Sequence, residues 1–115
     1  MRPDILILGG GPAGLAAAFR FARRGRQVLL VEQRRLPQQK SCGEFVHPSA
    51  VHELHVILGK DPAGATITQV ILAAGKFRKP FPLAEKAMGI SRFHLSSSLI
   101  RTAEIAGVKI ITGCA

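Results

Sequence analysis

The chain has 115 residues, of which 47% are apolar, and a formal net charge of +9. Its apolar runs are too short for a membrane span of ~20 residues or a signal-peptide core of ~7 residues, so we expect a cytoplasmic protein without a transmembrane segment. The basic residues are scattered and the chain has no Trp or Tyr to stack on bases, which argues against nucleic acid as a partner, and two cysteines are too few for a disulfide framework.

The first predicted element is a strand followed by a glycine-rich turn. Residues 5–8 are four apolar residues between Asp4 and Gly9, a pattern that predicts a parallel strand buried on both faces. Gly9 allows a tight turn, Gly11 lets the backbone approach a pyrophosphate, and Gly14 lets the following helix lie close to the strand.

A helix and a second strand complete the first unit. The helix is expected to begin at Pro12 and Ala13 and to end at Gly25, and the unpaired N–H groups at its start form a backbone anion site. The second strand covers residues 27–31, and Glu32 stands at its carboxyl end, where an acid can accept hydrogen bonds from a ribose and disfavours the 2′-phosphate of NADP. Strand, glycine turn, helix, strand and acid together form a dinucleotide-binding fingerprint.

A polar loop over residues 33–45 leads into a second predicted helix. This helix covers residues 48–58 and ends at Gly59. Its two histidines, His52 and His55, are three residues apart, so a zinc site is geometrically conceivable. Because no HExxH motif is present, we predict no metal site.

Two further strands are predicted to form a β-hairpin over residues 66–73 and 76–83. Two prolines in the second strand indicate that it lies at an edge of a sheet. Phe77 and Phe81 have strand spacing and are expected in the core rather than in a pocket. A helix over residues 94–106 and a strand over residues 108–112 complete another strand–helix–strand unit.

Three stretches of the chain resemble FAD-dependent oxidoreductases. Residues 4–14 are similar to the FAD-binding motif of flavoprotein oxidoreductases. Residues 40–45 resemble the Cys-Gly-Gly or Cys-Gly-Glu segment that lies near the flavin in single-component monooxygenases, geranylgeranyl reductases and flavin halogenases. Residues 89–92 are similar to a Ser-Arg strand of that branch, whose arginine reaches FAD, and Ser96 stands where the pattern usually has Asp.

The resemblance implies FAD as the cofactor, NAD(P)H as the reductant and a small molecule as the substrate. It identifies no catalytic acid, base or nucleophile in this chain. For Cys42, a contact with the flavin and a small buried packing role are equally open. The residues expected to bind the cofactor are Gly9, Gly11, Pro12, Ala13, Gly14, Glu32, Gln33, Arg34, Cys42, Gly43 and Arg92.

We therefore predict an α/β fold, with a Rossmann-like FAD-binding βαβ unit, an inserted β-hairpin and an incomplete doubly wound sheet. Because the resembling enzymes run to several hundred residues, residues 1–115 are expected to be a partial FAD-binding domain, the N-terminal fragment of a larger flavoprotein. The expected function is that of an FAD-dependent oxidoreductase, monooxygenase (hydroxylase)-like, which uses the flavin for hydride and oxygen chemistry on a small organic substrate. The alternatives are a geranylgeranyl-reductase-like prenyl reductase, an NAD-binding module, and a truncated fragment without activity of its own.

Overall fold

The computed structural model describes residues 2–40 and 42–113, so Ser41 and Cys114 lie outside the described residues. The helices and strands follow one another in the order β1 (Ile5–Leu8), α1 (Pro12–Arg23), β2 (Val28–Glu32), β3 (Phe45–Val46), α2 (Pro48–Leu58), β4 (Ala65–Ala74), β5 (Phe77–Gly89), α3 (Arg92–Ile105) and β6 (Lys109–Thr112). These elements confirm the first predicted strand–helix–strand unit and the hairpin, and they add the short strand β3. The second unit has its elements in the predicted order, but β5 and β6 lie in different sheets. Within the described ranges, no helix is both long and apolar enough to cross a membrane.

The dinucleotide fingerprint folds into a parallel sheet with the strand order β1–β2–β6. Leu8 lies opposite Val31 in the register of β1 and β2. Because parallel strands present their carboxyl ends at one edge of the sheet, the glycine turn after β1 and Glu32 at the end of β2 are neighbours. A hydrogen bond of 2.8 Å from the Gly9 N–H to the Val31 carbonyl fixes this arrangement.

The helices cover one face of the parallel sheet and leave the other face open. Side chains of the strands and helices form one apolar core, which includes Leu15, Ala18, Val28, Leu30, Leu99, Ala103 and Val108. On the opposite face, Leu6 is 56% exposed and Leu8 is 77% exposed. The prediction that β1 is buried on both faces is therefore wrong, because alternate strand residues point to opposite faces and the described helices pack against only one of them.

The helix boundaries follow local capping signals. α2 has the predicted bounds and ends at Gly59, whose φ of +70° lies in the left-handed region that glycine adopts readily. α3 begins two residues before the predicted start, because Ser91 caps it: the Ser91 Oγ accepts a hydrogen bond of 3.0 Å from the His94 N–H. β2 is shifted by one residue, so that it includes Glu32.

A second, antiparallel sheet has the order β3–β5–β4. β5 is longer than predicted and is the middle strand of this sheet, so the prediction that it lies at an edge is wrong for the strand as a whole. β3 pairs only with Met88 and Gly89 at one end of β5. Pro80 and Pro82 lie outside this pairing, in the part of β5 that is paired only with β4. On its other side this part of β5 has no neighbouring strand in the described sheet, so no backbone hydrogen bond is lost there for want of a proline N–H.

The far half of the hairpin carries exposed apolar side chains. Phe77 is 61% exposed and Phe81 is 38% exposed, so the expectation that they belong to the core is wrong. In the register of the hairpin, Val70 lies opposite Phe81 and Ala74 lies opposite Phe77, and Leu72 lies between them on the same face. We call this surface the apolar face of the hairpin and define it by Val70, Leu72, Phe77 and Phe81. Lys79 lies opposite Leu72 on the same face, with its Nζ 5.3 Å from the centre of the Phe81 ring.

Candidate dinucleotide-binding site

The turn between β1 and α1 depends on glycine at two positions. Gly9 has a φ of +107°, which side-chain-bearing residues rarely adopt. A Cβ on Gly14 would overlap the carbonyl oxygen of Gly9, so α1 can pack against the turn only because position 14 has no side chain. Beside Gly11, a Cβ would meet nothing within 4 Å, so the backbone there borders open space.

The N-terminus of α1 has no cap from within the described chain. Gly11 supplies no capping side chain and the first turn has no acidic residue, whereas α2 and α3 are capped by His47 and Ser91. Among the described residues, no acceptor takes the N–H groups of Ala13 and Gly14. Free N–H groups and the positive end of a helix dipole favour an anion, so this end of α1 fits a pyrophosphate.

Glu32 connects the end of β2 to the glycine turn. Its Oε2 accepts the Gly10 N–H at 2.6 Å and its Oε1 accepts the Arg34 N–H at 2.9 Å. These two hydrogen bonds, with that of Arg34 contributing more, hold the pKa of Glu32 below its ordinary value, although partial burial opposes them. The carboxylate is therefore charged at neutral pH, and each oxygen keeps a lone pair that can accept a ribose hydroxyl.

The predicted cofactor residues form two clusters, and the first combines the glycine turn with the end of β2. The hydrogen bonds of Glu32 bring the turn, Glu32 and Arg34 together. Gln33 is exposed and makes no hydrogen bond to this cluster within the described chain. The first cluster thus has the shape that the fingerprint requires for the pyrophosphate and the adenosine ribose of a dinucleotide.

The second cluster lies where β5 leads into α3. The Ile90 N–H donates a hydrogen bond of 2.8 Å to the carbonyl of Glu44, which joins the segment after Gly43 to the chain two residues before Arg92. Cys42 is exposed, and its Sγ accepts the Glu44 N–H at 3.3 Å. The alternative of a buried, packing Cys42 is therefore wrong.

Two residues that the sequence does not place in the site anchor the chain between these clusters. A Cβ on Gly10 would be 2.8 Å from Leu36 Cδ1, so Leu36 lies directly against the glycine turn. Ser96 is 5% exposed, and its Oγ accepts the Gln38 N–H at 3.3 Å. The sequence pattern singles out Ser96 only as a departure from Asp, and it gives no signal for Leu36.

The histidines near α2 have separate partners. His47 caps α2. The Nε2 of His52 lies 3.5 Å from the carboxylate of Glu85, and the Nδ1 of His55 lies 2.9 Å from that of Asp61. In the part of the chain that the structure describes, no three His, Cys, Asp or Glu side chains are grouped in a way that could hold a metal ion.

Comparisons with known proteins agree with this geometry. Residues 4–37 match the profile of a family described as FAD dependent oxidoreductase. The chain is 32% identical, over 96% of its length, to a menaquinone reductase of Mycobacterium tuberculosis (strain CDC 1551 / Oshkosh), and 30% identical, over 98% of its length, to a geranylgeranyl diphosphate reductase of Rhodobacter capsulatus. It spans 29% and 28% of the length of these two relatives.

The fold has a counterpart among solved structures. The myxobacterial chondrochloren halogenase, described as a variant of FAD-dependent halogenases, superimposes with a TM-score of 0.82 at 25% identity, over 96% of this chain and 28% of that one. This likeness confirms the predicted Rossmann-like α/β fold. The match to an FAD-dependent family supports FAD as the cofactor.

Proposed function

This chain belongs to the FAD-dependent oxidoreductase family, and we propose that residues 1–115 form a partial FAD-binding domain whose work is to hold the flavin for two-electron chemistry. The observation that carries the proposal is the uncapped N-terminus of α1 beside the charged carboxylate of Glu32. The first can receive a pyrophosphate and the second a ribose, and the hydrogen bond from the Gly10 N–H to Glu32 holds the two side by side.

Each predicted residue then has a defined task. Gly9 shapes the turn, Pro12 starts the helix, and Glu32 accepts the ribose hydroxyls. The other residues approach three parts of the cofactor: Gly11, Ala13 and Gly14 the pyrophosphate, Gln33 and Arg34 the adenosine, and Cys42, Gly43 and Arg92 the flavin. When bound, FAD supplies hydride transfer, and the protein supplies binding and orientation.

A reductase of molecules that carry an isoprenoid chain is the first candidate activity. Two relatives that match almost the whole chain at 30% identity or more are a menaquinone reductase and a geranylgeranyl diphosphate reductase. The apolar face of the hairpin, with Phe77 and Leu72 more than half exposed, offers a surface that suits such a substrate. We propose NADH or NADPH as the source of electrons.

A monooxygenase is the second candidate, and the segment after Cys42 favours it. Glu44 follows Gly43 in this chain. A second glycine at that position, as in the Cys-Gly-Gly form of the segment, would favour a prenyl reductase. Glu44 is exposed and has a φ of +58°, a conformation in which glycine would be unstrained. In a monooxygenase the reduced flavin consumes oxygen, and this separates the two candidates.

The proposal is tested by cofactor binding first and by electron acceptors second. We expect the purified chain to bind FAD, with flavin absorbance bands, more tightly than it binds NAD⁺. A folded chain that binds no FAD, or that prefers NAD⁺, would overturn the assignment. In a full-length form that contains these residues, with NADH or NADPH supplied, loss of menaquinone or geranylgeranyl diphosphate under nitrogen identifies the reductase, whereas oxygen uptake that depends on an organic substrate identifies the monooxygenase.

A further inference from the structure

Residues 33–40, which we call the strap, run back over the glycine turn instead of away from it. The strap leaves the end of β2 at Glu32, and Leu36 then packs on Gly10 so closely that a Cβ there would be 2.8 Å from Leu36 Cδ1 and 3.2 Å from Glu32 Cβ. The strap therefore packs against the glycine turn on the side of Leu30 and Glu32, and it leaves the side at Gly11 open.

The other anchor of the strap is a hydrogen bond to α3. The Gln38 N–H donates to the Oγ of Ser96, 58 residues later in the chain, at 3.3 Å. Ser96 is the one polar residue that is buried among the described residues. The contact therefore favours the docked strap over a detached one by the net stability of one hydrogen bond.

Most residues of the strap are exposed to solvent. Within it only Leu36 and Gln38 are half-buried, and the other six residues are exposed. Ser96 lies four residues after Arg92 on α3 and therefore on the same helix face, which is the face expected toward the flavin. The Ser96 contact thus connects the adenosine end of the site to the helix at its flavin end.

We propose that Ser96 is a positioning residue that keeps the strap docked against the glycine turn and Glu32, and thereby slows the release of FAD. A docked strap holds the Arg34 N–H on the Glu32 carboxylate, so that the carboxylate keeps its orientation toward the ribose. This inference rests on the proposed FAD-binding function, and it adds a residue with no direct contact to the cofactor.

The test compares Ser96→Ala with Ser97→Ala in the full chain. Ser97 is half-buried on the neighbouring position of α3, and no side-chain hydrogen bond is recorded for it among the described residues, so it is a matched control. We expect Ser96→Ala to accelerate amide hydrogen exchange at Gln38 and dissociation of FAD, each roughly fivefold, the effect of one lost hydrogen bond. Ser97→Ala should leave both rates unchanged.

A second variant removes the same contact from the strap side. Gln38→Pro deletes the N–H donor without altering the core of α3, so it tests the contact through exchange at the other amides of residues 33–40 if Ser96→Ala folds poorly. Unchanged exchange over residues 33–40, or faster exchange with an unchanged rate of FAD release, would overturn the inference while the wild type still binds FAD. A folded wild type that binds no FAD would overturn the proposed function as well, and this outcome is distinguished by the lack of binding in every variant.

Discussion

The carbonyl oxygen of Gly9 occupies the position that a side chain on Gly14 would need. This contact joins the end of β1 to the first turn of α1 and sets the distance between the strand and the helix N-terminus. The anion site can therefore lie close to the sheet edge only because residue 14 is a glycine and has no Cβ.

Gly14→Ala should damage the fold, and Gly11→Ala should damage only cofactor binding. A Cβ at position 14 overlaps backbone, which cannot rotate away, so we expect a loss of about 1–3 kcal/mol of stability. Gly11 has φ −73° and open space beside it, so alanine there should cost at most about 1 kcal/mol while it obstructs the pyrophosphate. Urea unfolding and FAD titration of both variants measure the difference, and equal stability of the two would contradict it.

Glu32→Ala should weaken FAD binding more than it alters the fold. The variant loses the ribose acceptor and also the hydrogen bonds to the Gly10 and Arg34 N–H groups. Because the Arg34 bond is exposed and the Gly10 bond only partly buried, water can take the place of the carboxylate in the unliganded fold. We expect an affinity at least tenfold lower by fluorescence titration. Glu104→Ala removes an exposed carboxylate on α3 and is the control, and equal affinities of wild type and Glu32→Ala would refute the assignment of Glu32.

Acid should release the glycine turn from the end of β2. The backbone N–H groups of Arg34 and Gly10 lower the pKa of Glu32 in the folded chain, so the folded state binds its proton less tightly than the unfolded state does. The resulting stability is fully present above the ordinary glutamate pKa of about 4.3 and is lost as the pH falls through the lowered value. Unfolding curves between neutral and acid pH should therefore fall less steeply for Glu32→Gln than for the wild type, and parallel curves would exclude this contribution.

Local signals predicted the first strand–helix–strand unit, and contacts between distant segments were missed. The glycines and Glu32 could be placed because each task depends on a few neighbouring residues. The strap could not be predicted, because the contacts of Leu36 with Gly10 and of Gln38 with Ser96 join segments without periodicity. The exposure of Phe77 was missed for a related reason, since alternation shows that a strand has two faces but not whether either is covered.

The outer strand of the hairpin should promote self-association. β4 is ten residues long, has no charged residue or proline, and is an edge strand of the described sheet, so its unpaired N–H and C=O groups can pair with another chain. Ile71, which is 50% exposed, lies in the middle of its far half. Ile71→Lys should reduce association in light scattering at high protein concentration. Ile105→Lys adds the same charge at an exposed apolar position of α3, and an equal reduction by both variants would attribute the effect to net charge and not to the strand edge.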